Sequence, residues 1–387
     1  MKIPLKYNIR SLWVRRVGTL MTAVGIGLTV AVLVTMMALV TGLESTFVET
    51  GHDNDLVVIR KGAQSETNSY FNRNLFQTVQ FLPGVEKDSN NTPWAVGELI
   101  VVINHDRLDG EPSNVVVRGT SDRGFEMRPE IKIVEGRRFK KGVRELVVSR
   151  SLSRRFKDMR VGDTLPIAHN KWSVVGIFDA AGTAYGSEIW GDYDEIALEW
   201  RRPVYSSILL RVESPEAARE IDERISGDRD RRVQLQAMTQ KEYYSRQAVS
   251  SVGVKMLGYF IAVVMGVGSC FAAMNMMYAT IMARFKEIGT LRALGFRRRS
   301  ILASFVMESA FLAVLGGAIG CLLALPVNGV STGTTNFVTF SEVLFNFRIT
   351  PSILFTAMAF SLVVGLLGGF LPAVRAARLR LIEALAD

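Results

Sequence analysis

The sequence predicts a membrane protein: four transmembrane α-helices, with one large α/β extracytoplasmic domain inserted between the first and the second. Three observations carry this reading. Uncharged stretches run over 18–43, 256–283, 309–341 and 349–374, each long enough for the roughly 20 apolar residues that a bilayer core demands. Nothing between Glu44 and Lys255 approaches that length. The formal charge of +9 is also concentrated in three short segments beside the apolar runs.

That charge sets the topology. Residues 1–17 carry Lys2, Lys6, Arg10, Arg15 and Arg16 with no acid, and 284–299 carry six basic residues against Glu287 alone. The tail adds Arg375, Arg378 and Arg380, whereas 44–255 holds 31 basic and 32 acidic residues and is close to neutral. Short loops rich in Lys and Arg stay in the cytoplasm. Both termini and the 284–299 loop are therefore expected inside, and the insert and the 327–350 loop outside. The basic excess is a membrane signal and argues against a nucleic-acid partner.

The expected order begins with a cytoplasmic amphipathic helix over 1–17, where Leu5, Ile9, Leu12 and Trp13 share a face. A plain cytoplasmic extension of the first span is the alternative. The spans are expected at 18–43, 256–283, 300–326 and 351–374, with a cytoplasmic loop at 284–299 and a tail at 375–387. A cleaved secretory signal competes for the first span, but the apolar run exceeds an h-region and no clear A-x-A site follows. Small residues recur at close-packing intervals: Gly258, Ala262 and Gly266, then Gly316 and Gly320, then Gly365 and Gly369. Such spacing predicts a compact bundle or dimer face and identifies no family. Cys270 and Cys321 fall inside spans, where small buried thiols are the expected reading.

The insert reads as mixed α/β. The runs 55–59, 99–103, 115–117, 146–148, 173–177 and 207–212 are β-branched and bounded by Gly, Pro or charge, as strands are. Ser214, Pro215 and Glu216 form a helix start leading into 217–225. Residues 41–50 and 239–255 can continue the first and second spans helically as a stalk. The segment 50–240 is expected to fold alone as a soluble domain.

The loop between the second and third spans, Ala283-Arg-Phe-Lys-Glu-Ile-Gly-Thr-Leu-Arg-Ala-Leu-Gly-Phe-Arg-Arg-Arg-Ser-Ile301, resembles the coupling stretch of MacB/FtsX-like (type VII) ABC transporter permeases. Asn8-Ile-Arg-Ser-Leu with 16–25, the segment 308–320 and Pro372-Ala-Val-Arg-Ala-Ala-Arg ending Ile382-Glu-Ala-Leu are similar to other membrane segments of that family. In the insert, Glu145-Leu-Val-Val-Ser, Val161-Gly-Asp and Val174-Val-Gly-Ile-Phe resemble its extracytoplasmic pattern. Two departures stand out: a basic start at Arg284 to Lys286, and Leu381 where proline is usual.

The resemblance implies a permease subunit that couples ATP binding and hydrolysis by a partner ATPase to motion of the outer domain. Export or extraction of a lipoprotein, peptide or drug is one outcome; mechanical control of an extracytoplasmic partner such as a cell-wall hydrolase is the other. Implied partners are an ABC ATPase, a second permease copy or paralogue and the lipid bilayer, with a periplasmic adaptor and outer-membrane channel beyond them. The implied location is the bacterial cytoplasmic (inner) membrane.

The implied ATPase-coupling residues are Lys286, Glu287, Ile288, Gly289, Leu291, Arg292, Leu294 and Gly295, expected as a short helix with Ile288, Leu291 and Leu294 as apolar contacts and Glu287 and Arg292 as charged ones. Basic anchors on anionic lipid are the plainer reading of Arg297 to Arg299. No Gly-Lys dipeptide occurs, so a Walker A loop cannot be built here; no cofactor is expected on this chain, and ATP belongs to the partner. Glu308, about nine residues past Arg299 and so roughly 13 Å along a helix, is an intramembrane charge with an expected pairing or interfacial role. His52, His105 and His169 are scattered, no HExxH occurs, and no catalytic or metal-ligating set is read.

Overall fold

A computed structural model describes residues 16–180, 182–227, 234–248, 251–336 and 338–378, the side chains of 251, 252 and 254 excepted. Most of the predicted N-terminal helix and the end of the tail lie outside these residues. The chain divides into two units. One comprises Met1–Thr41, Gly253–Val330 and Phe347–Asp387; the other comprises Gly42–Val252 and Ser331–Asn346.

Among the described residues, four helices, lying mainly in the first unit, are long and apolar enough to cross a membrane: Arg16–Val48, Ser251–Ala283, Arg298–Ala324 and Pro351–Ala377. Hydroxyls inside them are satisfied locally, as a bilayer requires: Thr22 and Thr29 donate to the carbonyls of Gly18 and Gly25, four residues back. Thr350 caps the fourth helix by accepting from Ile353 N–H, and Pro351 occupies its first position, where a missing N–H costs nothing.

Small residues set the helix contacts. A Cβ on Gly316 would stand 2.8 Å from Ile26 Cβ, and one on Gly320 2.5 Å from Gly27 O, so these two glycines seat the first helix on the third. Gly365 and Gly369 do the same for the third and fourth, meeting Ala313 and Ser309. Between them Ser361 Oγ donates to Ala313 O at 2.6 Å, an interhelical bond of the kind that holds apolar bundles. Cys270 and Cys321 are free and half-buried.

The second unit is built on a ten-stranded mixed sheet. In chain order the strands are β1 (Asp55–Arg60), β2 (Phe71–Asn72), β3 (Ala95–Asp106), β4 (Pro112–Thr120), β5 (Lys132–Gly136), β6 (Glu145–Ser149), β7 (Thr164–Ile167), β8 (Asn170–Asp179), β9 (Glu188–Asp192), β10 (Val204–Tyr205), β11 (Ser207–Arg211), β12 (Leu235–Thr239), β13 (Ser331–Asn336) and β14 (Ser341–Asn346). The sheet runs β12-β1-β11-β3-β4-β9-β6-β8-β5, with β7 beside β8; β2 pairs β10, and β13 pairs β14. Pairing is antiparallel except for β4 with β9 and β6 with β8. Leu56, Val58, Leu99, Val117, Leu146, Val148, Trp172, Ile189 and Ile208 form part of one continuous core. Burial of such side chains is worth about 1.5–3 kcal/mol each and holds the layers together. Ser214 caps Pro215–Ser226 by accepting from Ala217 N–H, with Pro215 at its first position.

All six predicted strand segments are strands. Four sheet members, β5, β7, β9 and β12, carry Glu, Gly, Thr, Pro or Gln within short runs, which masks the period-2 signal. The larger departure is at 331–346, expected as part of an external loop. These residues form the β13–β14 hairpin, and Leu344 joins the core of the large unit. The Glu342 side chain is 1% exposed, accepts from Arg107 Nε at 2.9 Å and Ser113 Oγ at 2.7 Å, and has Arg155 Nη2 at 3.3 Å. The compact unit extends past 50–240 at both ends and takes in Ser331–Asn346.

Candidate functional site

The second helix ends at Ala283, and Arg284 leaves helical geometry (φ −113°, ψ 16°) before the helix Phe285–Ala293 begins. Gly295 stops it. With φ +89° this glycine adopts the left-handed conformation that closes helices cheaply. Its N–H bonds Arg292 O at 3.1 Å, and Phe296 N–H bonds Leu291 O at 3.2 Å, the paired bonds of a Schellman motif. The third helix then starts at Arg298.

The faces of this short helix divide sharply. Ile288 is 3% exposed and packs in a cluster with Met277, Ile281, Ile301, Phe305, Ala373 and Ala376. Gly289 is buried as well, and Arg292 Nη1 donates to Ala377 O at 3.4 Å at the end of the fourth helix, where unsatisfied carbonyls and the helix dipole favour a cation. Three of the expected partner contacts therefore turn inward: Ile288, Gly289 and Arg292 fix the helix to its own bundle. Leu291 is half-buried at the margin. Lys286, Glu287, Thr290, Ala293 and Leu294 are exposed, and at 100° per residue they span an arc of about 120°. Leu294 is 67% exposed.

Glu308 lies within the third helix and is buried, with Arg284 Nη1 at 3.2 Å; Arg284 Nε also reaches Glu287 Oε2 at 3.1 Å. The basic start of the loop thus supplies the counter-charge for the carboxylate buried in the third helix. A charge in that setting is costly without a partner. Arg284 consequently ties the root of the short helix to the third span. Glu308 also borders a cavity of about 270 Å³ lined by all four helices, among them Thr22, Met276, Ser309 and Gly369.

A second cluster lies inside the α/β unit and was not legible in the sequence. Arg118, on β4, forks onto Glu188 at 2.7 Å through Nε and through Nη2, reaches Glu98 at 2.6 Å, and contacts Glu66 at 3.1 and 3.0 Å. Arg128 makes a parallel pair of bonds to Glu98 at 2.8 and 2.7 Å, the bidentate geometry in which guanidinium and carboxylate match best. Thr120 and Ser207 donate to Glu98 and Glu66, and Trp190 Nε1 donates to Glu188. Burial would push the Glu98 carboxyl up; Arg128 and Arg118 outweigh it and hold it at about 2. The same burial pushes the Tyr185 hydroxyl, beside both arginines, up to about 12. The five charges draw on β3, β4, β9, the turn at Glu66–Asn68 and the segment after Asp122–Glu126. They join separate stretches of the unit into one network.

The histidines serve locally. His52 stands 3.7 Å from Glu130, which raises the imidazole's pKa chiefly through its side-chain contact. His105 Nε2 meets Lys157 O at 2.8 Å, and His169 N–H donates to Glu199.

Four apolar helices with an α/β unit inserted after the first define a polytopic membrane permease. Two family models match the chain: a MacB-like periplasmic core domain over residues 19–227 and an FtsX-like permease C-terminal region over 259–381. The chain belongs to the MacB/FtsX-type family of ABC transporter permeases. It is 23% identical to the macrolide export ATP-binding/permease protein MacB of Hahella chejuensis (92% of this chain, 57% of that protein). It is 29% identical to the pyoverdine export ATP-binding/permease protein PvdT of Pseudomonas entomophila (97% and 58%). The chain thus spans a little over half the length of these relatives. Among solved structures it is similar to the extracellular domain of YknZ, a noncanonic ABC-type transporter from Gram-positive bacteria (15% identity, 48% of this chain, all of that chain, TM-score 0.35). It is also similar to the periplasmic region of MacB from Actinobacillus actinomycetemcomitans (10% identity, 51% and 94%, TM-score 0.37).

Proposed function

We propose that this chain is the permease subunit of an inner-membrane export machine, in which a separate ABC ATPase drives motion of the α/β domain on the extracytoplasmic side. The observation that carries the proposal is the division of the helix Phe285–Ala293. One face is anchored in the bundle through Ile288, Arg292 and the neighbouring Arg284–Glu308 pair, while Lys286, Glu287, Thr290 and Leu294 are left outward. A rigid lever with one exposed arc is what a docking partner needs to move spans without being absorbed into them. ATP is assigned to the partner, and the ATPase docks on that arc. The relatives' names, macrolide and pyoverdine export, make a macrolide and pyoverdine the first substrates to test.

Thr290→Arg combined with Leu294→Asp alters only exposed positions of the arc. This double variant should insert normally, retain the bundle, and lose both the co-purifying ABC ATPase and its ATP hydrolysis. Full assembly and hydrolysis with both positions changed would remove the docking site. Reconstituted vesicles then separate two outcomes: ATP-dependent movement of a macrolide or pyoverdine supports export, and hydrolysis without movement supports mechanical control of an external partner.

A further inference from the structure

The α/β unit contains a cavity of about 240 Å³ with an arginine-rich wall. One side is the segment Ser149 to Arg155 at the end of β6, the second is Asp179, Ala180, Gly182, Thr183 and Gly186, and the third is the ends of the β13–β14 hairpin, Ser331 and Asn346. Its charge is not balanced. Arg150 is paired with Asp179 at 2.7 Å. Arg155 shares the single carboxylate of Glu342 with Arg107. Arg154 lines the cavity, is exposed, and has no ion pair among the described residues. Three guanidiniums, of Arg150, Arg154 and Arg155, thus line the concave site with the single carboxylate of Asp179. Excess cationic charge held in a concavity concentrates anions, and guanidinium forks suit phosphate oxygens in particular.

The place of the cavity indicates the source of the phosphate. Asn346 on its wall is separated by four residues from Pro351, the first residue of the fourth transmembrane helix. Ser331 follows the end of the third by a similarly short link, after Leu325–Val327. Whatever the arrangement of the two units, five residue steps of chain reach at most about 17 Å. The wall is therefore leashed to span ends, within reach of the headgroup layer.

We propose that this cavity binds the phosphate of an anionic membrane phospholipid, with Arg154 as its principal contact and Arg150 and Arg155 at its sides. The site rests on the four-span architecture and does not depend on whether the machine exports or signals. A lipid bound there would hold the hairpin and the 149–155 segment together at the membrane surface.

The test uses the full chain in nanodiscs of phosphatidylcholine containing a minor fraction of phosphatidylglycerol, with retained lipid counted by native mass spectrometry. Each cation near a membrane surface contributes enough for a roughly five-fold effect on anionic-lipid binding. Arg154→Ala should lower phosphatidylglycerol retention about that much and Arg154→Glu further, whereas Arg154→Lys should recover much of it. Arg219→Glu, a reversal on the exposed face of Pro215–Ser226, should change nothing. Equal loss in the Arg154 and Arg219 reversals would overturn the site, since only bulk charge would then matter. Displacement by soluble glycerol phosphate as effective as by phosphatidylglycerol would overturn the membrane source.

Discussion

Replacing Arg118 by Met tests what the buried network contributes. Arg118 is 1% exposed and touches three carboxylates, of Glu66, Glu98 and Glu188. Its removal leaves Arg128 as the remaining cation of the network, facing three buried acids. Breaking a buried pair from one side costs about 3–5 kcal/mol, because the orphaned charge stays desolvated. An exposed pair supplies the control: Arg137 and Glu145, with the arginine 47% exposed, should be worth less than about 1 kcal/mol. Trp190, which donates to Glu188 and is fully buried, is a reporter inside the network. Urea unfolding of the full chain in detergent, followed by tryptophan fluorescence, should show Arg118→Met losing several-fold more stability than Arg137→Met. Acid provides an independent arm. The Glu98 carboxyl falls from an ordinary 4.5 to about 2, so its contribution, on the order of 3 kcal/mol, is complete above about pH 4.5 and lost as pH falls through 2. Glu98→Gln should flatten that acid limb. Equal losses for Arg118→Met and Arg137→Met would refute the assignment of stability to the network.

Two other substitutions probe the remaining architecture. Gly320→Val places methyl groups where Gly27 O and Val30 already stand; an overpacking cost of about 1–3 kcal/mol should appear as a lower melting temperature in detergent, and Gly25→Ala, with open space around it, should not change it. The raised pKa of His52 beside Glu130 means that its contribution is fully present below about pH 6.5 and lost as pH rises through the elevated value. His52→Gln should remove that neutral-range slope from the denaturation midpoint while leaving the acid limb of Glu98 in place.

The spans and the principal strands were legible because each is written in a single local period or run. Long uncharged stretches admit only helices in a bilayer, and runs such as Val115 to Val117 admit little but strand. The network was illegible for a physical reason. Glu98, Arg118 and Glu188 flank apolar runs where charges usually mark a strand leaving the core, and only their meeting across β3, β4 and β9 makes them interior. The short helix was legible in its extent, down to Gly295, but its facing was not. Ile288, Leu291 and Leu294 are apolar but step round the helix by about 60° each, and which of them meets the chain's own bundle depends on Ile301, Phe305 and Ala373, which lie outside the helix. Ser331 to Asn346 contained a hydrophobic signal at Val343 to Phe345, too short to distinguish an outer loop from a piece of the preceding domain.

The β13–β14 hairpin also constrains the order in which the protein can be made. Arg107, Ser113 and Arg155 emerge early in synthesis, yet the carboxylate that gathers them, Glu342, follows the third span. Until that span has been inserted, these donors and the core position filled by Leu344 are waiting for a segment not yet translated. The domain therefore completes its fold after most of the membrane helices exist, and a ribosome stalled before the hairpin holds it open to chaperones and proteases.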